Sequence, residues 1–253
     1  MPVRESESLS PNMVRADPLH ALRSLAKLAK GDSNMVPIIA FVGKTNSGKT
    51  TVLESVVTAL RERGYRVGVI KHSHHGVEMD RAGTDTWRFT QAGGDSVAIA
   101  SPGRAWLTEA RENVEPEWVA SRWMHDMDIV LCEGFKQSAL PKVEVYRSEI
   151  GGELLSDPGE IVALVTDRHF PIQTPQFAPA DIAGIVRFLE ETCLRPVRQV
   201  DSVDLFADGK RIPLGEFAQQ IITRTLLGMV SSLKGVGAPE RLEFHVRRKS
   251  ERT

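Results

Sequence analysis

Eight consecutive residues carry the clearest chemistry in the chain: Gly43-Lys44-Thr45-Asn46-Ser47-Gly48-Lys49-Thr50. Glycines at 43 and 48 let the backbone curl until successive N–H groups point at one anion, and a lysine and a hydroxyl follow at once. This GxxxxGK[ST] spacing suits a polyphosphate. Lys49 would bridge the β- and γ-phosphates, the Thr50 hydroxyl would ligate Mg²⁺, and Thr51 closes the binding run. A helix starting here adds its positive dipole end to the hold on the anion. The stretch predicts binding of a nucleoside triphosphate.

Such a site needs a carboxylate at the end of a neighbouring buried strand. Asp128-Ile129-Val130-Leu131-Cys132-Glu133-Gly134 supplies one. Glu133, at the carboxyl end, would hold Mg²⁺ through water or orient the attacking water, and Gly134 would turn the chain beside the γ-phosphate. Asp128, at the opposite end, is expected to be structural, and Cys132 a small buried hydrophobe. Between these motifs stands Lys71-His72-Ser73-His74-His75-Gly76-Val77-Glu78-Met79-Asp80, followed by Asp85. In an extended segment His72 and His74 share one face and His75 the other. Two imidazoles near Asp80 could hold a transition metal; alternatively, His and Lys contact phosphate or substrate at the sheet edge. Asp80 and Asp85 are candidates for contacts to a Mg²⁺-bound water or for holding the loop.

The elements that must position these groups follow from hydrophobic periodicity. Pro37–Val42 is a short apolar run of buried-strand form, and residues 50–63 set Val52, Leu53, Val56, Val57 and Leu60 on one helical face before Gly64. Arg66–Lys71 returns as a strand, so the three make a βαβ unit and imply a parallel sheet. Helices are expected over Thr84–Ala92, Pro116–His125 and Pro179–Thr192, the last with an Asp near its start. Ser96–Ala100 and Asp128–Cys132 read as extended, Lys142–Arg147 as a half-exposed strand, and Ile161–Val165 as a central one. The fold class is α/β, a P-loop nucleoside-triphosphatase type with a mostly parallel sheet flanked by helices, over residues 36–196. Residues 1–35 form a polar leader, in which Asp17-Pro18 could cap a short helix carrying Leu19, Leu22, Leu25 and Leu28 up to Gly31. Residues 197–253 read as a small ββαβ appendage: Val203–Ala207 and Lys210–Leu214 around an Asp208-Gly209 turn, a helix over Gly215–Leu233, and a strand over Leu242–Arg248.

Composition narrows the classes. The 253 residues are 41% hydrophobic and 26% charged, enough for a real core. Thirty-two Lys+Arg against 33 Asp+Glu leave a formal charge of −1, which argues against a nucleic-acid binder. The basic Arg247-Arg248-Lys249 end has no aromatic platform beside it. Two cysteines outside any CxxC, no apolar secretion segment and no membrane-length apolar run predict a cytoplasmic protein without a membrane partner.

The phosphate loop GKTNSGKTT, the stretch KHSHHGVEMDRAGTDTWRFTQAGG, then LCEGFK, PKVEVYR and ALVTD resemble, in that order, the MobB family of molybdopterin-guanine dinucleotide biosynthesis. The resemblance spans roughly residues 36–190. It implies GTP binding with weak hydrolysis, a homodimer, molybdopterin as a possible ligand, and cooperation with a MobA-type nucleotidyltransferase that attaches GMP to molybdopterin. Carried onto this chain, the functional residues are the phosphate loop, Glu133 and the Asp80/Asp85 segment. Lys44 resembles the lysine of dimerising phosphate-loop proteins that reaches the nucleotide across the interface; the other reading is a solvated lysine. The block LFADGKRIPLGEF…LLGMVSSLKG resembles an extension on some family members. In place of an NKxD motif stands Thr166-Asp167, whose carboxylate could accept hydrogen bonds from guanine N1 and N2, or merely cap the next turn.

Two other classes use the same loop. A small-molecule kinase would need an Arg-rich lid, which the sequence does not display. A metallochaperone GTPase is suggested by His72, His74 and His75, but neither cysteine neighbours a histidine. No arginine is marked by the sequence as a catalytic finger, although Arg81 and Arg88 stand nearby.

Overall fold

A computed structural model of the chain describes residues 36–73, 80–157, 159–194, 203, 205–207, 210–212, 214–236, 242 and 244. Four expectations lie outside these residues: the leader helix after Asp17-Pro18, the placement of His74 and His75, the Asp208-Gly209 turn, and most of the strand over 242–248. The chain divides into two compact units, Met1–Pro196 and Val197–Thr253.

The first unit runs β1 (Ile38–Gly43), α1 (Lys49–Glu62), β2 (Val67–Lys71), α2 (Asp85–Gln91), β3 (Ser96–Ser101), β4 (Arg104–Glu109), α3 (Pro116–Trp123), β5 (Ile129–Glu133), β6 (Lys142–Val145), β7 (Ile161–Val165), β8 (Gln176–Phe177) and α4 (Ile182–Thr192). Six strands form one sheet in the order β2-β5-β1-β6-β7-β8, and every neighbouring pair is parallel. Parallel strands are covered on both faces, which is why β1 is apolar and buried at all positions. On one face, Val52, Leu53, Val56 and Leu60 of α1 and Ile185, Val186 and Leu189 of α4 pack on Ile39, Phe41, Ile129 and Leu131. On the other, Val119 and Ala120 of α3 cover Ile38, Ala40, Val42, Val130 and Cys132. Each fully buried Leu or Ile here contributes roughly 1.5–3 kcal/mol. Asp181 caps α4 by accepting from the Gly184 N–H at 2.9 Å. The expected βαβ unit is parallel, with β5 inserted between β1 and β2.

One expectation is corrected. The alternation over Lys142–Arg147 predicts a half-exposed strand, yet β6 is buried at every position. Its polar residues face inward because each has a partner: the Lys142 ammonium pairs with Glu160, and the Glu144 oxygens accept from the Leu155 and Ser156 N–H groups at 2.6 and 3.0 Å. Burial pushes the Glu144 carboxyl up, against the pull of those N–H groups. Strands β4 and β8 were not anticipated. β3 and β4 form a separate antiparallel hairpin, paired from Ser96↔Glu109 to Ser101↔Arg104, with nearly every residue exposed.

In the second unit, β9 (Leu205–Ala207) pairs antiparallel with β10 (Lys210–Ile212), and α5 (Glu216–Ser231) follows. Among the described residues, no helix is long and apolar enough to cross a membrane.

Candidate phosphate-binding site

Because β1 lies between β5 and β6, three strand ends deliver functional residues to one edge of the sheet. Phe41 is level with Glu133, and Gly43 with Val145. Gly43 has φ 149°, and a Cβ there would stand 2.3 Å from the Val145 carbonyl oxygen and 2.7 Å from Ser47 Oγ. Asn46 and Gly48 are left-handed at φ 64° and 84°, so the chain coils tightly before α1 begins at Lys49. Thr45 and Asn46 are exposed at the loop's outer side, whereas Ser47 is 1% exposed, its Oγ without a partner among the described residues.

Thr50 Oγ1 donates to Glu133 Oε1 at 3.0 Å, so the two groups expected to serve a cation meet across 83 residues of chain. Lys71 Nζ lies 3.6 Å from the same carboxylate oxygen. Lys49 Nζ donates to the Lys44 carbonyl at 2.6 Å. Its pKa is lowered first by burial and then by Lys136 and Lys71, with Glu133 opposing. Lys49 thus lies within reach of two further ammonium groups and one carboxylate, an arrangement that a polyanion would relieve.

Gly134 and Phe135 follow Glu133 in left-handed conformation, φ 99° and 56°. The turn is close: a Cβ on Gly134 would stand 3.0 Å from His72 Cβ, and the His72 ring lies 4.6 Å from that of Phe135. His72 therefore belongs to the edge of this site. Among the described residues there is no group of three His, Cys, Asp or Glu side chains fit to hold a metal.

Other predicted residues sit apart from the Thr50–Glu133 pair in their bonding. Asp80 Oδ1 accepts from Thr84 Oγ1 at 2.6 Å, and that hydroxyl also caps α2 by accepting from the Trp87 N–H. The Thr84 and Thr86 hydroxyls hold the Asp80 carboxyl below its ordinary range. Asp85 and Arg88 face each other at 3.7 Å on the exposed side of α2. Lys44 Nζ donates to the Gly151 carbonyl at 2.7 Å within the same chain. Asp167 accepts from the Ser148 N–H at 2.9 and 3.1 Å and from its hydroxyl at 2.7 Å, which together hold the carboxyl below its usual value. Asp128 is structural as expected, accepting from the Arg66 N–H at 2.6 Å. The Cys132 thiol, buried in β5, is pushed up to about 12.

Two residues were missed by sequence reading: Ser148 and Arg147. The last stands two positions beyond β6, and a Cβ on Gly48 would lie 3.3 Å from its Nη2. The available signal was positional: both follow β6 at its carboxyl end, where ligands bind in such sheets.

A parallel sheet flanked by helices, with a glycine-curled loop leading from its central strand into a helix, defines an α/β protein of the phosphate-loop type. Residues 38–167 match the model of the family MobB, molybdopterin guanine dinucleotide synthesis protein B, and the chain belongs to that family. It is 35% identical over 160 residues to a molybdopterin-guanine dinucleotide biosynthesis adapter protein of Haemophilus influenzae, covering 62% of this chain and 90% of that one. An adapter protein of the same description from Escherichia coli is 32% identical over 164 residues, 62% of this chain and 93% of the other. The crystal structure of Bacillus subtilis MobB aligns with a TM-score of 0.49 and 28% identity over 60% of this chain and 97% of that one.

Proposed function

We propose that this chain is a GTP-binding adapter in molybdopterin-guanine dinucleotide biosynthesis, working in the cytoplasm. The family and the adapter relatives support the pathway, and favour it over the kinase and metallochaperone readings. The observation that carries the nucleotide reading is the convergence of Thr50, Glu133, Lys49, Lys71 and Lys136 at one sheet edge. The backbone of Gly43–Gly48 cradles the phosphates, and Lys49 neutralises the terminal ones. Thr50 and Glu133 offer two hard oxygens 3.0 Å apart, a donor set that fits Mg²⁺. When bound, the ion supplies charge neutralisation on the phosphate oxygens. Glu133 also orients water at that edge, and Lys71, 3.6 Å from its Oε1, helps to hold the carboxylate in place.

Asp167 selects the base. Held by Ser148, it remains an ionised acceptor, matching the N1–H and N2–H donors of guanine, whereas adenine presents an acceptor at N1. Asp80 and Thr84 hold the loop ahead of α2. The chain acts as a homodimer, supported by the hairpin β3–β4, which carries exposed Ile99, Trp106 and Leu107 and would gain stability by covering them. Its partners are molybdopterin and a MobA-type nucleotidyltransferase, and weak hydrolysis of GTP accompanies the hand-over. Titration of purified chain with GTP, with and without the nucleotidyltransferase and molybdopterin, tests the reading. Coupled affinities support the adapter role; GTP binding that neither partner alters would reject it.

A further inference from the structure

We infer that Arg147 is a second phosphate-binding cation of this site, supplied by the same chain and aimed at the α- and β-phosphates from the β6 side. The inference rests on the nucleotide reading above. Arg147 is fixed by its neighbours on both sides: the Tyr146 N–H donates to the Val165 carbonyl at 2.8 Å, and Ser148 is pinned by Asp167. Its own carbonyl accepts from Ile150 at 3.1 Å and from Gly151 at 3.3 Å, closing the turn whose Gly151 carbonyl receives Lys44.

With Tyr146 buried against Phe170, Arg147 is left to face the phosphate loop. Its Nη2 lies against Gly48, where any Cβ would come within 3.3 Å, and Nε within 3.6 Å. Gly48 is the residue whose conformation turns the loop's N–H groups toward the anion, so the guanidinium stands beside the cradle. Among the described residues, Arg147 makes no ion pair within 4 Å. An independent observation marks the same cleft. The Ser47 hydroxyl is buried, unpartnered among the described residues, and lines a small cavity with Lys44 and Arg147 and with the carboxylates Glu144 and Glu153. A planar fork of N–H donors beside the loop and an orphaned hydroxyl suits phosphate oxygens.

Calorimetry on the full chain with Mg·GTP, Mg·GDP and GMP tests this, using wild type, Arg147→Gln and Arg147→Lys, with thermal melting as the folding control. The expected result is a loss of about tenfold or more for GTP and GDP alike in the Gln variant, with the Lys variant between. Equal affinity in a Gln variant that melts like wild type would overturn the role of Arg147 and leave the nucleotide reading intact. A loss confined to GTP would overturn its placement at the α- and β-phosphates. Should the Gln variant melt early, the Lys variant decides: wild-type affinity for both nucleotides overturns the need for the fork. Wild type that binds none of the three ligands would reject the nucleotide reading itself.

Discussion

The central strands and the β3–β4 hairpin are both β-structure of similar length, but their surroundings are opposite. All six residues of β1 are buried, whereas the hairpin leaves Ile99, Trp106 and Leu107 each more than two-fifths exposed. The sheet derives its stability from two helical layers and can therefore hold a tightly coiled loop, left-handed residues and a cluster of three lysines at its edge. The hairpin contributes nothing to that core, and its apolar side chains stand exposed. Rigidity positions the loop in one region, and in the other an apolar surface stands exposed, which the proposed dimer would cover.

The sharpest way to break this comparison is at the loop. Lys49→Ala should weaken triphosphate binding about 100-fold or more while leaving the melting temperature unchanged, read by calorimetry and thermal denaturation. Unchanged affinity would separate the site from the rigid edge altogether. Next, Ile39→Ala should destabilise the fold by about 2–5 kcal/mol in denaturant titration, since its side chain is wholly buried between α1 and α4. Trp106→Ala paired with Leu107→Ser should change stability by only about 0.5 kcal/mol per site but shift sedimentation from dimer to monomer. A core-sized loss of stability there would show that the hairpin belongs to the fold.

Smaller effects sharpen the picture. Glu144 has its pKa raised by burial above the ordinary 4.5. The folded state therefore binds its proton more tightly than the unfolded state. The stability this contributes is complete below about pH 4.5 and is lost as pH rises through the folded value. Relative to Glu144→Gln, wild type should thus lose melting temperature between pH 4 and 7; a flat difference would mean the buried carboxylate is fully compensated by Leu155 and Ser156. Last, the thiols of Cys132 and Cys193, pushed up to about 12 and about 11, should resist a thiol reagent at neutral pH until the chain is denatured.

Much of this was legible in the sequence because short apolar runs and i, i+3, i+4 faces report burial directly. β1, α1, β5, β7 and α4 were located within a few residues, and the spacing from Gly43 to Thr50 named the phosphate loop. β6 misled because alternation signals exposure only when polar side chains lack partners, and Lys142 and Glu144 find theirs in Glu160 and the Leu155–Ser156 backbone. Thr50 and Glu133 meet because both motifs end or follow a buried strand, although a direct contact between them was not anticipated. Arg147 was not foreseen, because a cation acquires its role from strand order, which local pattern does not encode. The bond of Lys44 to the Gly151 carbonyl could not be read from sequence, because that acceptor is a group every residue possesses.

The most direct test of the central claim is calorimetric titration of the full chain with GTP and with ATP, each with Mg²⁺, alongside the Asp167→Asn variant. Saturable binding with preference for GTP, and loss of that preference in the variant, is the predicted result. Equal affinity for both nucleotides, or preference for ATP, would contradict guanine selection by Asp167, and no binding of either would contradict the nucleotide site.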